Sequence, residues 1–451
     1  MEQKKLIIAG LGSAGYAALV TIKRINPKAQ VVVIDPKGSD IVHPCGLPYA
    51  LEGKVNEHDL EQDIFLSRMN VEKIQGIVHS VDSAKKEIVV HHEDTIHTVL
   101  YDTVILCTGY KPLLPPVSNI EQYINSGVYT LSSIADLQRI KKDIQGKARA
   151  IVIGAGAIGL EVAYALKENG LLVTVIEAKD VLPNAIDGDM AELVKEYCHT
   201  NGINLVLNSA VQSIEKNNGT LQSIEKNNGT FLVITQDKEY TADIVIAATG
   251  FAPNCEWAVH SSFETSKWGV IVNDRLQVQP SIYAAGDCIQ SWSVIDKKPF
   301  PVKLATSAYK QGIVAAENAM GVPSTYKGTA GTFVTKVGDL EIAATGFSTH
   351  VAQERGFSVI AGKISATVKP EYFPGNERLT FKVLCDKTGK LIGAQAIGNG
   401  AAARINIISL AIEYGLTVDE ILKFEMAYCP AIGEVNDLIF KACEFAKRRM
   451  K

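Results

Sequence analysis

Apolar residues in this chain come in short unbroken runs, each closed by glycine or by an acidic residue. Lys4–Ala9, Val31–Ile34, Thr103–Cys107, Ala150–Ile153, Leu172–Ile176 and Ile244–Ala248 are such runs. Runs of this length without polar alternation predict strands covered on both faces, as in a parallel sheet. Mixed apolar and polar stretches follow two of them, to about Arg24 and to about Asn169, and predict helices. Alternation at Glu87–Val90 and Ile96–Tyr101 predicts a hairpin facing water on one side. Beyond about Tyr326 the texture changes to alternating strands at Thr332–Val337, Leu379–Leu384 and Leu391–Ile397. Helical segments from Ala401 and from Glu434 follow, so the C-terminal part reads as α+β.

Composition narrows the class. The chain has 451 residues, 47% hydrophobic, 21% charged and 7% aromatic. That is the balance of a folded, multi-domain protein, not of a disordered or fibrous one. The formal net charge of -4 offers no basic surface to nucleic acid, so no such partner is expected. No apolar run approaches the roughly 20 residues of a membrane span. Lys4 and Lys5 precede an apolar run, but Gly10, Gly12 and Gly15 break it at once, unlike a secretory signal. The eight cysteines are scattered without a C-x-x-C pair, which argues against zinc or a disulfide framework and for a reducing cytoplasm.

Two glycine turns carry the first chemistry. Gly10-Leu-Gly12-Ser-Ala-Gly15 and Gly154-Ala-Gly156-Ala-Ile-Gly159 each follow a predicted strand and open a predicted helix. Asp35 stands twenty residues after Gly15 and Glu177 eighteen after Gly159, each at the end of the next strand. In such a turn the first glycine makes the bend and the second admits a pyrophosphate. The third packs helix on strand, and the carboxylate takes a ribose hydroxyl. One match is weak evidence; two in full context predict two dinucleotide sites. Glu177 would repel a 2′-phosphate and favours NADH, while Lys179 nearby keeps NADPH open.

With these turns, the Thr108-Gly109 and Thr249-Gly250 strand ends and Ala284-Ala-Gly286-Asp287, the chain resembles the pyridine nucleotide-disulfide oxidoreductases along essentially its whole length. The resemblance implies two Rossmann-like domains and a C-terminal α+β dimerisation domain. It implies FAD binding by residues 1–115 and 248–323, NAD(P)H binding by 116–247 and dimerisation by 324–451. FAD contacts would come from Gly10, Gly12, Ser13, Ala14, Gly15, Asp35, Pro36, Lys37, Val78, Thr108, Gly109, Gly286, Asp287 and Ala305. The nicotinamide cofactor would meet Gly154, Gly156, Ile158, Gly159, Glu161, Glu177 and Gly250.

Cys45, in His43-Pro-Cys-Gly-Leu-Pro48-Tyr49, is the candidate nucleophile. Pro48 suits the first turn of a helix, and a cysteine ahead of a helix has its thiolate favoured. Relatives with paired cysteines carry the second five residues later, where this chain has Ala50. It therefore resembles the single-cysteine branch: NADH oxidases and peroxidases, coenzyme A-disulfide reductases and persulfide reductases. Ser13 stands where the oxidases and peroxidases usually carry histidine, which removes a general acid from that place. Pro370-Glu-Tyr372 and Met426-Ala-Tyr428-Cys429-Pro430 resemble the tyrosine segments with which coenzyme A-disulfide reductases reach the partner's cysteine in a homodimer. Ile41 and Pro44 depart from that group's usual residues before the cysteine.

The expected reaction is NAD(P)H-dependent reduction, through FAD and Cys45, of a small disulfide such as coenzyme A disulfide, or of a persulfide or polysulfide. Tyr372 and Tyr428 would supply protons. Oxygen reduction by an NADH oxidase is the alternative, and a redox-sensing flavoprotein ranks lower. Cys429 reads as a second thiol or as packing, and Lys23 and Arg24 as phosphate ligands or a helix end. The cluster His91, His92, His97, with His91 and His97 on one face, predicts a solvated hairpin and no metal. A ten-residue tandem repeat over 211–230 predicts a lengthened surface hairpin without chemistry.

Overall fold

The computed structural model describes residues 4–216, 230–301 and 303–450, and the chain falls into two compact units. One unit comprises Met1–Pro44, Glu57–Lys111 and Phe251–Thr329; the other comprises Cys45–Asn56, Pro112–Gly250 and Ala330–Lys451.

The first unit is built on a six-stranded sheet in the order Gln277–Gln279, Ile282–Ala284, Thr103–Leu106, Lys5–Ala9, Gln30–Asp35 and Val71–Gln75. All neighbours run parallel except the first pair. Ile8, Val33, Val104 and Leu106 are fully or almost fully buried, because both faces are covered and no polar alternation is needed. The helix Ser13–Ile25 starts directly after the second glycine, and the helix Ala305–Ala319 crosses it closely. A Cβ on Gly312 would lie 2.1 Å from the Ala14 carbonyl oxygen, so only glycine permits that crossing. A separate three-stranded antiparallel sheet joins Ile77–Asp82, Glu87–His92 and Thr95–Leu100.

The second unit repeats the plan. Its parallel sheet has the order Val128–Tyr129, Ile244–Ala247, Arg149–Ile153, Leu172–Ile176 and Ile203–Val206. The helix Ala157–Glu168 follows Gly156. A five-stranded antiparallel sheet, Phe333–Val337, Leu340–Gly346, Leu391–Gly398, Arg378–Cys385 and Ile360–Thr367, makes the C-terminal part with the helices Ala401–Glu413 and Leu438–Arg449. The α/β class with a C-terminal α+β portion is thus observed.

Two local expectations change. The last helix begins at Leu438, not Glu434, because Asp437 caps it by accepting the Ile439 N–H at 3.0 Å. Arg404 holds that carboxylate by bonds of 2.7–3.0 Å in a buried pair. His91 and His97 do not share a face: register pairs His97 with Val90 and His91 with Ile96, since the turn between the strands resets the alternation. His91 instead stacks on His79 at 4.2 Å, which meets His260 at 4.3 Å. The repeat begins with the strand Val211–Lys216, paired with Phe231–Thr235; its residues 217–229 lie outside the described residues.

Candidate functional site

The six cradle glycines divide by what a side chain would meet. A Cβ on Gly10 would lie 2.2 Å from the Cys107 carbonyl oxygen, and one on Gly15 1.9 Å from that of Gly10. In the second cradle a Cβ on Gly154 would lie 2.4 Å from the Ala248 oxygen, and one on Gly159 2.1 Å from that of Gly154. Gly10 and Gly154 also hold positive φ, +94° and +108°, which L side chains avoid. A Cβ on Gly12 or on Gly156 would meet no other part of the protein within 4 Å. The outer glycines therefore shape the bend, and the middle one faces open space that a pyrophosphate can enter. Both cradles fit a dinucleotide.

The carboxylates close the two loops in the same way. Asp35 Oδ2 accepts the Leu11 N–H at 2.6 Å and its Oδ1 accepts the Lys37 N–H at 2.8 Å. Glu177 accepts the Ala155 and Lys179 N–H groups, each at 2.9 Å. Asp35 is 1% exposed and also takes the Lys37 ammonium at 2.9 Å. Glu177 is half-buried, and among the described residues no ammonium or guanidinium pairs with it.

In the first unit the Gly286–Asp287 turn is clamped from both sides by residues that sequence inspection missed. Gln311 Oε1 accepts the Gly286 N–H at 2.8 Å. Lys303 donates to the carbonyls of Asp287 at 2.7 Å and of Trp268 and Ile289 at 3.0 Å. Burial lifts the Asp287 carboxyl from 3.8 to about 6, with Lys303 pulling the other way. Among the described residues no hydrogen-bond donor reaches that carboxylate. Thr108 is held by its Oγ1 donating to the Asn254 carbonyl at 2.6 Å and accepting from Trp257 Nε1 at 3.0 Å. Lys23 donates to the Ala29 and Asn70 carbonyls and Arg24 pairs with Glu317 at 3.6 Å, which are helix-end contacts.

In the second unit Cys45 is exposed, in the short 3₁₀ turn Pro44–Gly46 ahead of the helix Leu47–Glu52. Pro48 occupies the first turn of that helix. Ala50, where a second cysteine would stand, is fully buried. The buried cysteines behave as packing: burial raises Cys107 well above its usual value, and Cys385 to about 11 and Cys443 to about 12. Cys429 is exposed beside Tyr428. Tyr372 is 76% and Tyr428 47% exposed, and the two phenols hydrogen-bond each other, which raises Tyr428. Among the described residues no cluster of His, Cys, Asp or Glu could hold a metal.

Two glycine cradles on parallel sheets, an exposed thiol and an α+β C-terminal portion define a two-nucleotide redox enzyme. Residues 4–315 match the family described as Pyridine nucleotide-disulphide oxidoreductase, and residues 332–438 match its dimerisation domain; the chain belongs to this family. It is an oxidoreductase that uses FAD and a nicotinamide cofactor. It is 32% identical to an NADH oxidase of Methanocaldococcus jannaschii, over 99% of both chains. It is 30% identical to a CoA-dependent NAD(P)H sulfur oxidoreductase of Pyrococcus furiosus, over 97% of this chain and 98% of the other. A solved NAD-dependent persulfide reductase from A. fulgidus has a TM-score of 0.92 and 28% identity, covering 99% of this chain and 83% of that one. No helix among the described residues is long and apolar enough to cross a membrane.

Proposed function

We propose that this protein is a cytoplasmic homodimer that reduces a low-molecular-weight disulfide such as coenzyme A disulfide, or a persulfide or polysulfide, through Cys45. FAD is assigned to the first cradle with Asp35 and Asp287, and NADH to the second with Glu161 and Glu177. The observation that carries the reading is the exposed thiol of Cys45 with buried Ala50 in the second-cysteine position. A single thiol can attack an external disulfide but cannot close an internal one.

Bound FAD and NADH supply the two electrons. The Cys45 thiolate attacks one sulfur of the substrate, forming a mixed disulfide and releasing the first thiolate. A tyrosine phenol, Tyr428 or Tyr372, donates the proton that this leaving thiolate takes up, and solvent restores it. Two electrons entering the mixed disulfide release the second thiol, which takes a second proton, and return Cys45 to the thiolate.

The relative named NADH oxidase favours a second reading, in which oxygen is the acceptor. NADH and NADPH oxidation measured against coenzyme A disulfide, polysulfide and oxygen separates the two. Cys45→Ser is expected to keep FAD and to lose disulfide turnover by at least about a thousandfold, as removal of a nucleophile does. Retained turnover would sink the assignment of Cys45.

A further inference from the structure

In the second cradle Gly156, Ala157, Ile158 and Glu161 are the partly open positions, whereas Gly159 and Leu160 are buried. Glu161 thus shares the open face of the loop that receives the nucleotide. Among the described residues no lysine, arginine or histidine pairs with its carboxylate. Two hydroxyls reach it instead. Thr335 Oγ1, on the strand Phe333–Val337, donates to Glu161 Oε1 at 2.5 Å. The Tyr49 phenol, on the helix Leu47–Glu52, hydrogen-bonds the same carboxylate. Three elements far apart in sequence meet at one acid.

The charge state of each partner is set by its surroundings. Burial raises Glu161 above the usual carboxylate range, and the bonds from Thr335 and Tyr49 pull it back. Burial pushes the Tyr49 phenol up to about 12, with the charges of Glu161, Glu52 and Cys45 adding to the effect. Glu52 is itself paired with Lys54 at 2.7 Å. Tyr49 therefore stays protonated in neutral solution and serves Glu161 as a donor. A carboxylate accepts about four hydrogen bonds, so two donors leave capacity for a ligand. A half-buried acid that meets no cation among the described residues is costly unless something uses it.

We propose that Tyr49 and Thr335 are positioning residues for Glu161, holding its carboxylate on the open face of the second cradle, where it meets the nicotinamide cofactor. The inference rests on assigning Glu161 to that cofactor's site, and it leaves Cys45 chemistry aside. Tyr49 stands four residues after Cys45, so the same short segment carries the thiol and the donor that steadies the acid.

Calorimetric titration of the FAD-loaded protein with NAD⁺ tests it without turnover. Tyr49→Phe and Thr335→Val are each expected to weaken NAD⁺ binding by about fivefold, the effect of one hydrogen bond. Thr335→Ser, which keeps the hydroxyl, should restore affinity. Glu161→Gln should weaken binding by itself, and Tyr49→Phe should then add nothing, because it acts only through the acid. Full affinity in both Tyr49→Phe and Thr335→Val overturns the proposal, as does a Tyr49→Phe effect that multiplies undiminished in the Glu161→Gln background. Full affinity in Glu161→Gln overturns it too, by removing the acid from the site. Disulfide turnover in Cys45→Ser reports on the thiol alone, so either reading can fail without the other.

Discussion

Asp35 and Glu177 end equivalent strands and close equivalent glycine loops by accepting two backbone N–H groups. Beyond that they diverge. Asp35 is buried and neutralised by the Lys37 ammonium, whereas Glu177 is half open with its charge uncompensated among the described residues. A carboxylate neutralised in place keeps its loop stiff, and one with free lone pairs offers them to an entering ribose. On the proposed assignment, the first suits a cofactor held through turnover and the second a cofactor that exchanges in every cycle. One backbone device closes both loops, and the Lys37 ammonium on Asp35 is what distinguishes the first carboxylate from the second.

The largest effect should come from the bending glycines. Gly10→Ala places a Cβ 2.2 Å from a carbonyl at φ +94°, and Gly154→Ala one at 2.4 Å and φ +108°. Positive φ and the forced contact together cost about 3 kcal/mol. Gly10→Ala should purify without FAD, while Gly154→Ala should hold FAD, by its visible absorbance, and lose reduction by NADH. Loss of FAD from both would break the division between the cradles.

Asp287 sharpens the resident side. Raised from 3.8 to about 6, it binds its proton more tightly in the folded state. Its contribution to stability is therefore present below about pH 4 and is lost as pH rises through about 6. In FAD-free protein Asp287→Asn should gain about 3 kcal/mol at pH 7.5, and the gain should vanish near pH 4. Urea midpoints at the two pH values measure this. FAD should bind the variant more weakly, since the acid is maintained for its ligand at the expense of stability. A midpoint at pH 7.5 equal to the parent's would remove that conflict.

The smallest effect tests the visiting side. Glu177→Ala should lower kcat/KM for NADH by about tenfold and leave that for NADPH unchanged or improved, the loss of one charged hydrogen-bond acceptor. An unmoved ratio of the two specificities would mean that Glu177 only closes its loop.

Both cradles were legible in the sequence because everything that makes them is local: an apolar run, three glycines at fixed spacing, a helix and an acid at the end of the next strand. The turn that exposes Cys45 ahead of a short helix was legible for the same reason, marked by Gly46 and Pro48. Lys303 and Gln311 were not, although they flank the expected contact Ala305, because nothing local says which carbonyl or N–H a side chain will reach. The histidines show the limit of periodicity: counting by twos put His91 and His97 on one face until the turn between their strands reset the count.

The sequence by itself determined the order of strands, turns and helices, the two nucleotide cradles and the family, since these follow from short-range pattern and backbone sterics. Only the tertiary structure decided that, among the described residues, Asp35 has an ammonium partner and Glu177 has none, that the half-buried Asp287 carboxylate meets no donor, and that Tyr49 and Thr335 converge on Glu161. Those depend on which distant segments pack together. Burial and hydrogen-bond partners, not residue type, set the charge and aim of a side chain.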